Sequence, residues 1–379
     1  MTLLPWVEIN NFRGISHLRY EPKQVNLLIG RNNSGKSTIL EAIYAVLTGR
    51  DCQTLIGNGR SLNRYGINIH SEYAKIVSED HTFSLFCDTE YLPVDSLDKA
   101  VEEICATMFS GGMKFNLTAS QKKQIVEYVI KEGLVSFGVH DNTVCRIEVT
   151  PNGREPILKI VSDLQKIFSD EEISSEELFE FASRFNSMSY GVSTGLGIIR
   201  ENIRVFGDYE KLLSRVTTDP LELIELDKFV QEHNLIPNVE RLMEGGVVYR
   251  DGEKTYFLPY AVHGRGFGIL LNMISVLRQC RDGVLLIEEP ENHMHPGYLQ
   301  VFVENLMILA KKLNVQVFMT THSYDLIETL SRYPIDEEEE NSILISNVVS
   351  RDGEHELYNY SPSDAQKTMN QLMIDLRGT

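Results

Sequence analysis

One octapeptide constrains the fold of this chain more than any other feature: Gly30-Arg31-Asn32-Asn33-Ser34-Gly35-Lys36-Ser37 fits G-x-x-x-x-G-K-[ST] in full. A chance match in a chain of this length is on the order of one in a hundred, before any demand on its flanks. Both flanks comply. Val25-Asn26-Leu27-Leu28-Ile29 is a short apolar run with strand character, and Lys36 to Leu47 carries apolar residues at helical spacing. In a strand, glycine loop and helix taken in that order, successive N–H groups turn inward onto phosphate oxygens. The helix N-terminus adds its partial positive charge. There Lys36 bridges the β- and γ-phosphates of a nucleotide and Ser37 places its hydroxyl on Mg²⁺. The candidate nucleotide-binding set is Gly30, Asn32, Asn33, Ser34, Gly35, Lys36, Ser37 and Thr38.

Two further segments fit this loop. Val284-Leu285-Leu286-Ile287 is an apolar strand that ends in Glu288-Glu289-Pro290. Carboxylates at the C-terminal end of a buried strand lie where open parallel sheets bind ligands. Glu288 is placed to hold Mg²⁺ through water, and Glu289 to orient or deprotonate the attacking water. The strand Val315–Met319 then runs into Thr320-Thr321-His322-Ser323. An imidazole at that strand end can hydrogen-bond the γ-phosphate or the attacking water.

Strand, helix, strand with short links is the pattern of a parallel sheet. It occurs before residue 50 and again after residue 258, where helices are predicted over Gly268–Cys280 and Gly297–Lys312. The intervening stretch reads differently. Ala74–Val77 and Thr82–Cys87 are predicted as paired strands, Leu134–Val149 as strand, and Asp98–Met108, Ser120–Lys131, Ser169–Phe181, Arg200–Val216 and Asp219–Glu232 as helices. The acidic run 336–340 is predicted as a solvated loop before a strand at Ser342–Val349, and Leu357–Gly378 as holding one helix. The expected division is a core of residues 1–50 with 258–379, interrupted by an inserted part, 51–257, with its own small core.

The segments VEINNFRGI, NLLIGRNNSGKSTILEAI, LLIEEPENHMHPGYLQ and FMTTHSYDLI together resemble the ABC-type ATPases of the RecF/OLD/SMC kind. They are especially similar to the ATPase domains of OLD-family and related bacterial defence proteins. The resemblance covers both halves of the expected core; residues 50–257 match nothing in it. It implies an α/β fold: an ABC-type P-loop NTPase with a mixed sheet, helices on both faces and a large α+β insertion between Walker A and signature regions. It implies ATP and Mg²⁺ as ligands, Lys36, Glu289 and His322 as the catalytic residues, Ser37 and Glu288 at the metal, and Arg13 beside the nucleotide. It also implies that 292–296 is a loop crossing a dimer interface, a reading preferred to a metal pair at His293 and His295.

The resemblance is imperfect at two places. Glu288 stands where the family has Asp, which implies slow hydrolysis or a more strictly water-mediated metal contact. The signature segment, which meets the γ-phosphate of a partner's ATP, is here Gly264-Arg265-Gly266 with Arg265 in place of a small polar residue. Arg265 is either an arginine finger in trans or a structural Arg in a Gly-rich turn. OLD-family nucleases carry a C-terminal Toprim nuclease domain. Only 57 residues follow His322, without clustered carboxylates, so nuclease activity is not expected of this chain.

Charge limits the partners. The chain holds 36 Lys+Arg against 54 Asp+Glu, a net of −18. Residues 1–75 carry a net of +4, so the remainder carries −22, and any nucleic-acid contact is expected on the nucleotide-side face. Arg50, Arg60 and Arg64 there are either contacts to phosphate or DNA, or plain surface charge. Five dispersed cysteines argue against a zinc site and a disulfide framework, and no apolar run reaches the ~20 residues of a membrane span. A cytoplasmic protein is expected. The expected partners are a second copy of the chain, clamped on ATP, and a separately encoded effector, a nuclease, in anti-phage defence. Two alternatives stand beside this: a RecF-like DNA-repair ATPase, and a nucleotide-sensing scaffold with negligible turnover.

Overall fold

The structure, a computed structural model, describes residues 4–48, 71, 73–79, 81–88, 135–140, 143–151, 203–206, 219–292, 294–333, 336–351 and 354–371. The first part gives β1 (Val7–Phe12), β2 (Ile15–Tyr20), β3 (Val25–Ile29), α1 (Lys36–Thr48), β4 (Tyr73–Ser78), β5 (His81–Asp88), β6 (Val135–His140), β7 (Thr143–Pro151) and β8 (Ile203–Phe206). Then come α2 (Pro220–His233), β9 (Val239–Met243), β10 (Gly246–Asp251), β11 (Lys254–Pro259), α3 (Arg265–Gln279), β12 (Val284–Glu288), α4 (Pro296–Leu313) and β13 (Gln316–Thr320). The chain closes with α5 (Tyr324–Arg332), α6 (Glu337–Ser342), β14 (Ile343–Arg351), β15 (Glu354–Tyr360) and α7 (Pro362–Gln371).

The sheet that positions the site has the order β15-β14-β3-β13-β12-β8. Five adjacent strands of it, β14, β3, β13, β12 and β8, are parallel, and only β15 runs against its neighbour. β3 and β13 are buried along their whole length and β12 at all but its last residue, as expected of parallel strands covered on both faces. Alternate residues feed two cores. Leu28, Leu286 and Phe318 point to α1 and the β1–β2 hairpin, while Leu27, Ile29, Leu285, Ile287, Val317 and Met319 point to α3, α4 and α5. The mixed sheet with helices on both faces is the expected architecture.

The second six-stranded sheet, β2-β1-β4-β5-β7-β6, is antiparallel throughout, and β9–β11 form a third sheet of three strands. The sequence division at residues 51 and 257 is therefore not the division of the sheets. β4 pairs directly with β1, and β8 completes the parallel sheet beside β12.

Several local expectations change. Within the predicted helix Arg200–Val216, residues 203–206 are a strand: Ile203-Arg204-Val205-Phe206 is β-branched and aromatic, and pairs in register with Val284–Ile287. The acidic run is a short helix, because Asp336 caps it by accepting from the Glu339 N–H and the glutamates occupy its favourable N-terminal turn. The helix placed at Gly268–Cys280 begins three residues earlier, at Arg265. Asp219 does cap the expected helix after it, accepting from Leu221 and Glu222 N–H at 3.0 and 3.4 Å. The helices predicted over 98–108, 120–131 and 169–181 lie outside the described residues.

Candidate active site

The register of the parallel strands sets the site. Glu288 lies opposite Thr320, Thr320 opposite Leu28, and Ile29 opposite Asn347, so β12, β13 and β3 end at one level while β14 runs on past it to Arg351. The loop 30–35 leaves β3 at that edge. Gly30 has φ +140°, and a Cβ there would stand 2.5 Å from the Val348 carbonyl oxygen and 2.9 Å from Ser34 Oγ. Gly35 has φ +104°, and a Cβ would meet the His355 ring at 3.1 Å. Only glycine fits either position. Gly30→Ala is expected to cost about 1–3 kcal/mol, read as a lower midpoint in denaturant unfolding. Asn33 takes the left-handed region at φ 62°, which Asn tolerates, and Ser34 N–H closes the turn on the Arg31 carbonyl at 3.3 Å.

Lys36 opens α1 with its side chain folded back: Nζ donates to the carbonyls of Gly30 at 3.0 Å and Arg31 at 2.8 Å. Burial pushes its pKa down to about 8, against the pull of Glu289 and Glu288. Ser37 Oγ donates to Glu288 Oε1. A hydroxyl and a carboxylate so joined are two hard oxygen donors on adjacent elements, which fit a Mg²⁺ that takes its other ligands from phosphate and water. The longer Glu288 side chain reaches Ser37 directly. Thr38 lies half-buried in the first turn of α1, and Asn32 and Asn33 are exposed on the loop. A cavity of about 450 Å³ opens against the outer side of the loop, between Arg31–Ser34 and Val348–Arg351.

Glu289 follows with φ 45°, an uncommon conformation for a side-chain-bearing residue. Its N–H is held by the Thr320 carbonyl at 3.1 Å, and its Oε2 accepts from Asn292 Nδ2 at 2.9 Å. Oε1 lies 3.3 Å from His322 Nε2. The structure therefore brings Lys36, Ser37, Glu288, Glu289 and His322 into one cluster.

Other expected residues stand elsewhere. Arg13, at φ 52° in the β1–β2 turn, places Nε 2.8 Å from Glu41 Oε2 and so braces α1. Gly264 is the N-cap of α3, Arg265 is exposed at its first position, and Gly266 packs on the Tyr298 ring, where a Cβ would stand 3.2 Å away. The neighbouring His263 bonds Tyr249 Oη and the Pro259 carbonyl, each at 2.9 Å. None of these contacts reaches the loop 30–35. His295 Nδ1 accepts from Gly297 N–H as the N-cap of α4, and His293 lies outside the described residues. Sequence reasoning missed His355 and the Glu291–Thr321 pair, which sit against Gly35 and His322 respectively.

The model described as "AAA ATPase domain" matches residues 4–190, and that described as "AAA domain, putative AbiEii toxin, Type IV TA system" matches residues 164–328. An "ATP/GTP phosphatase" of Helicobacter pylori is 22% identical over 352 residues, 86% of this chain and 87% of that protein. The uncharacterized protein MJECL11 of Methanocaldococcus jannaschii is 33% identical over 116 residues, 30% of this chain and 99% of its own. The DNA replication and repair protein RecF of Nitrosococcus oceani is 46% identical, but over 50 residues, 13% of this chain and 14% of that protein. The SMC head domain from Thermotoga maritima is 13% identical with a TM-score of 0.46, covering 95% of this chain and 100% of that one. The glycine loop closed on β14 lies within the matched stretch 4–190 and the carboxylates at the end of β12 within 164–328, so both parts of the site fall in regions similar to AAA domains.

Proposed function

We propose that this chain binds Mg·ATP on residues 30–38, closes on a second copy, and hydrolyses the nucleotide as a switch controlling a separate effector. The observation that carries the reading is the meeting of Ser37 with Glu288, and of Glu289 with His322, beside Lys36. Lys36 exchanges two loop carbonyls for phosphate oxygens, and the N–H groups of residues 32–37 bind the remaining oxygens. Ser37 and Glu288 would hold the Mg²⁺, which would supply neutralising charge at the phosphates. Glu289 takes the proton of the attacking water, and His322 hydrogen-bonds the same region and stabilises the developing charge. Gly264, Arg265 and Gly266 meet the γ-phosphate bound by the partner copy, with Arg265 as a finger in trans.

Multiple-turnover phosphate release with and without Mg²⁺ tests the ATPase; mass measurement in solution with ATP tests the second copy. A protein that binds ATP without turnover would instead be a nucleotide-sensing scaffold. Affinity should be flat below about pH 8 and weaken above it. The charged Lys36 binds the anion, and the phosphate raises its pKa in the complex above its value in the free protein. Calorimetric titration from pH 7 to 9.5 reads this.

The effector is a nuclease of an anti-phage system, docked on residues 51–257, which carry the larger share of the negative charge. Co-purification of the two with and without ATP tests it. The similarity of residues 164–328 to the "AAA domain, putative AbiEii toxin, Type IV TA system" supports a defence role. The RecF match favours a second reading, ATP-dependent DNA binding on the nucleotide-side face. An affinity that falls steeply with salt and needs ATP would decide for it.

A further inference from the structure

We propose that Glu291 is a positioning residue for hydrolysis: it ties the loop bearing Glu289 to the strand end bearing His322 and so sets the separation of those two groups. The inference rests on the ATPase reading above. Glu291 lies between β12 and α4, two residues beyond Glu289. Its Oε1 accepts from the Thr321 hydroxyl and from the His322 backbone N–H, the latter at 3.2 Å. Thr321 Oγ1 in turn accepts from Ser323 N–H at 2.8 Å, and Ser323 Oγ caps α5 by accepting from Leu326 N–H at 3.3 Å. One carboxylate oxygen thus anchors Thr321, His322 and Ser323, and through them the first turn of α5.

Among the described residues the other oxygen, Oε2, is buried without a hydrogen-bond partner. Burial pushes the Glu291 carboxyl above its ordinary range, while the Thr321 and His322 bonds pull it down. Packing alone gives no reason to bury a carboxyl with one oxygen stranded. Its position gives one. The Glu289 loop also meets 320–323 through the Glu289 N–H to Thr320 bond and the Glu289–His322 contact. The first of these stops short of residue 322, whereas Glu291 holds the backbone of residue 322 itself and so fixes where its imidazole starts from. Misplacement of about 1 Å at reacting groups costs on the order of a hundredfold in rate.

Three variants and one background test it. Glu291→Ala should lower kcat at least about tenfold while the affinity for ATP stays within about twofold, because no bond of Glu291 reaches residues 30–37. Glu291→Gln keeps an acceptor oxygen and should restore turnover to within about threefold of wild type. Thr321→Val, nearly isosteric, removes one leg of the clamp and should give an intermediate loss. In a His322→Ala background, Glu291→Ala should cause no further loss, since its effect runs through His322. Normal wild-type turnover with Glu291→Ala within twofold of it overturns the inference alone. So does a parallel fall in ATP affinity, or a Glu291→Gln as damaged as Glu291→Ala. A wild-type chain without turnover overturns the ATPase reading and this inference with it.

Discussion

Lys36→Ala should bind ATP at least about a hundredfold more weakly than the wild type, the largest change in affinity expected of any single substitution in the chain. The ammonium is nearly buried and already stripped of much of its water, as its lowered pKa records. It has thus met part of the cost of desolvation before the nucleotide arrives. Exchanging two neutral carbonyls for charged phosphate oxygens then gives charge-assisted bonds of about 1.5–3 kcal/mol each, and two of them account for the hundredfold. Folding should survive at a modest cost, because alanine suits the first turn of a helix and, of the two carbonyls left, only that of Gly30 loses a buried partner while Arg31 is exposed. Binding of a fluorescent ATP analogue, with thermal unfolding alongside, reads both. An unchanged affinity would remove residues 30–38 as the nucleotide site.

Glu289→Gln should separate binding from chemistry. Loss of a general base costs about 10²–10⁴ in rate, so kcat should fall by about a thousandfold. The amide preserves length and can still accept from Asn292, so the loop after β12 and the affinity for ATP should hold. ATP-bound protein then accumulates, seen as nucleotide retained after gel filtration and, on the proposed reading, as a persistent two-copy assembly. Turnover within tenfold of wild type would mean that Glu289 is not the base, and would move attention to His322.

Much of the candidate site was legible because a nucleotide site of this kind demands rare local patterns. A glycine loop between an apolar strand and a helix, and paired glutamates after a four-residue apolar run, admit few other arrangements. The third sheet was not legible. β11 is exposed at every position, so Tyr256, Phe257 and Leu258 show no alternation of burial that a period of two would reveal. β8 is four residues long and becomes a strand only because the outer side of β12 is open to it. Glu291 reads in sequence as one more loop carboxylate; its bonds to Thr321 and His322 exist only once β12 and β13 lie side by side. His355 and Gly35 are brought together by the β14–β15 hairpin, a long-range event to which no local window is sensitive.

The insertion of β3 between β13 and β14 has a consequence for biosynthesis. On the ribosome the glycine loop is made first, and both strands that flank β3 and the Val348 carbonyl that walls in Gly30 follow only after the long intervening stretch. Until then β3 is an apolar strand with two unpaired edges, the kind of segment that chaperones engage and that aggregates when they do not. A ligand stabilises only the state that can bind it, so ATP cannot assist a nascent chain stalled before residue 343. Nucleotide competence therefore arrives late and all at once, and marks a chain whose synthesis has passed β14.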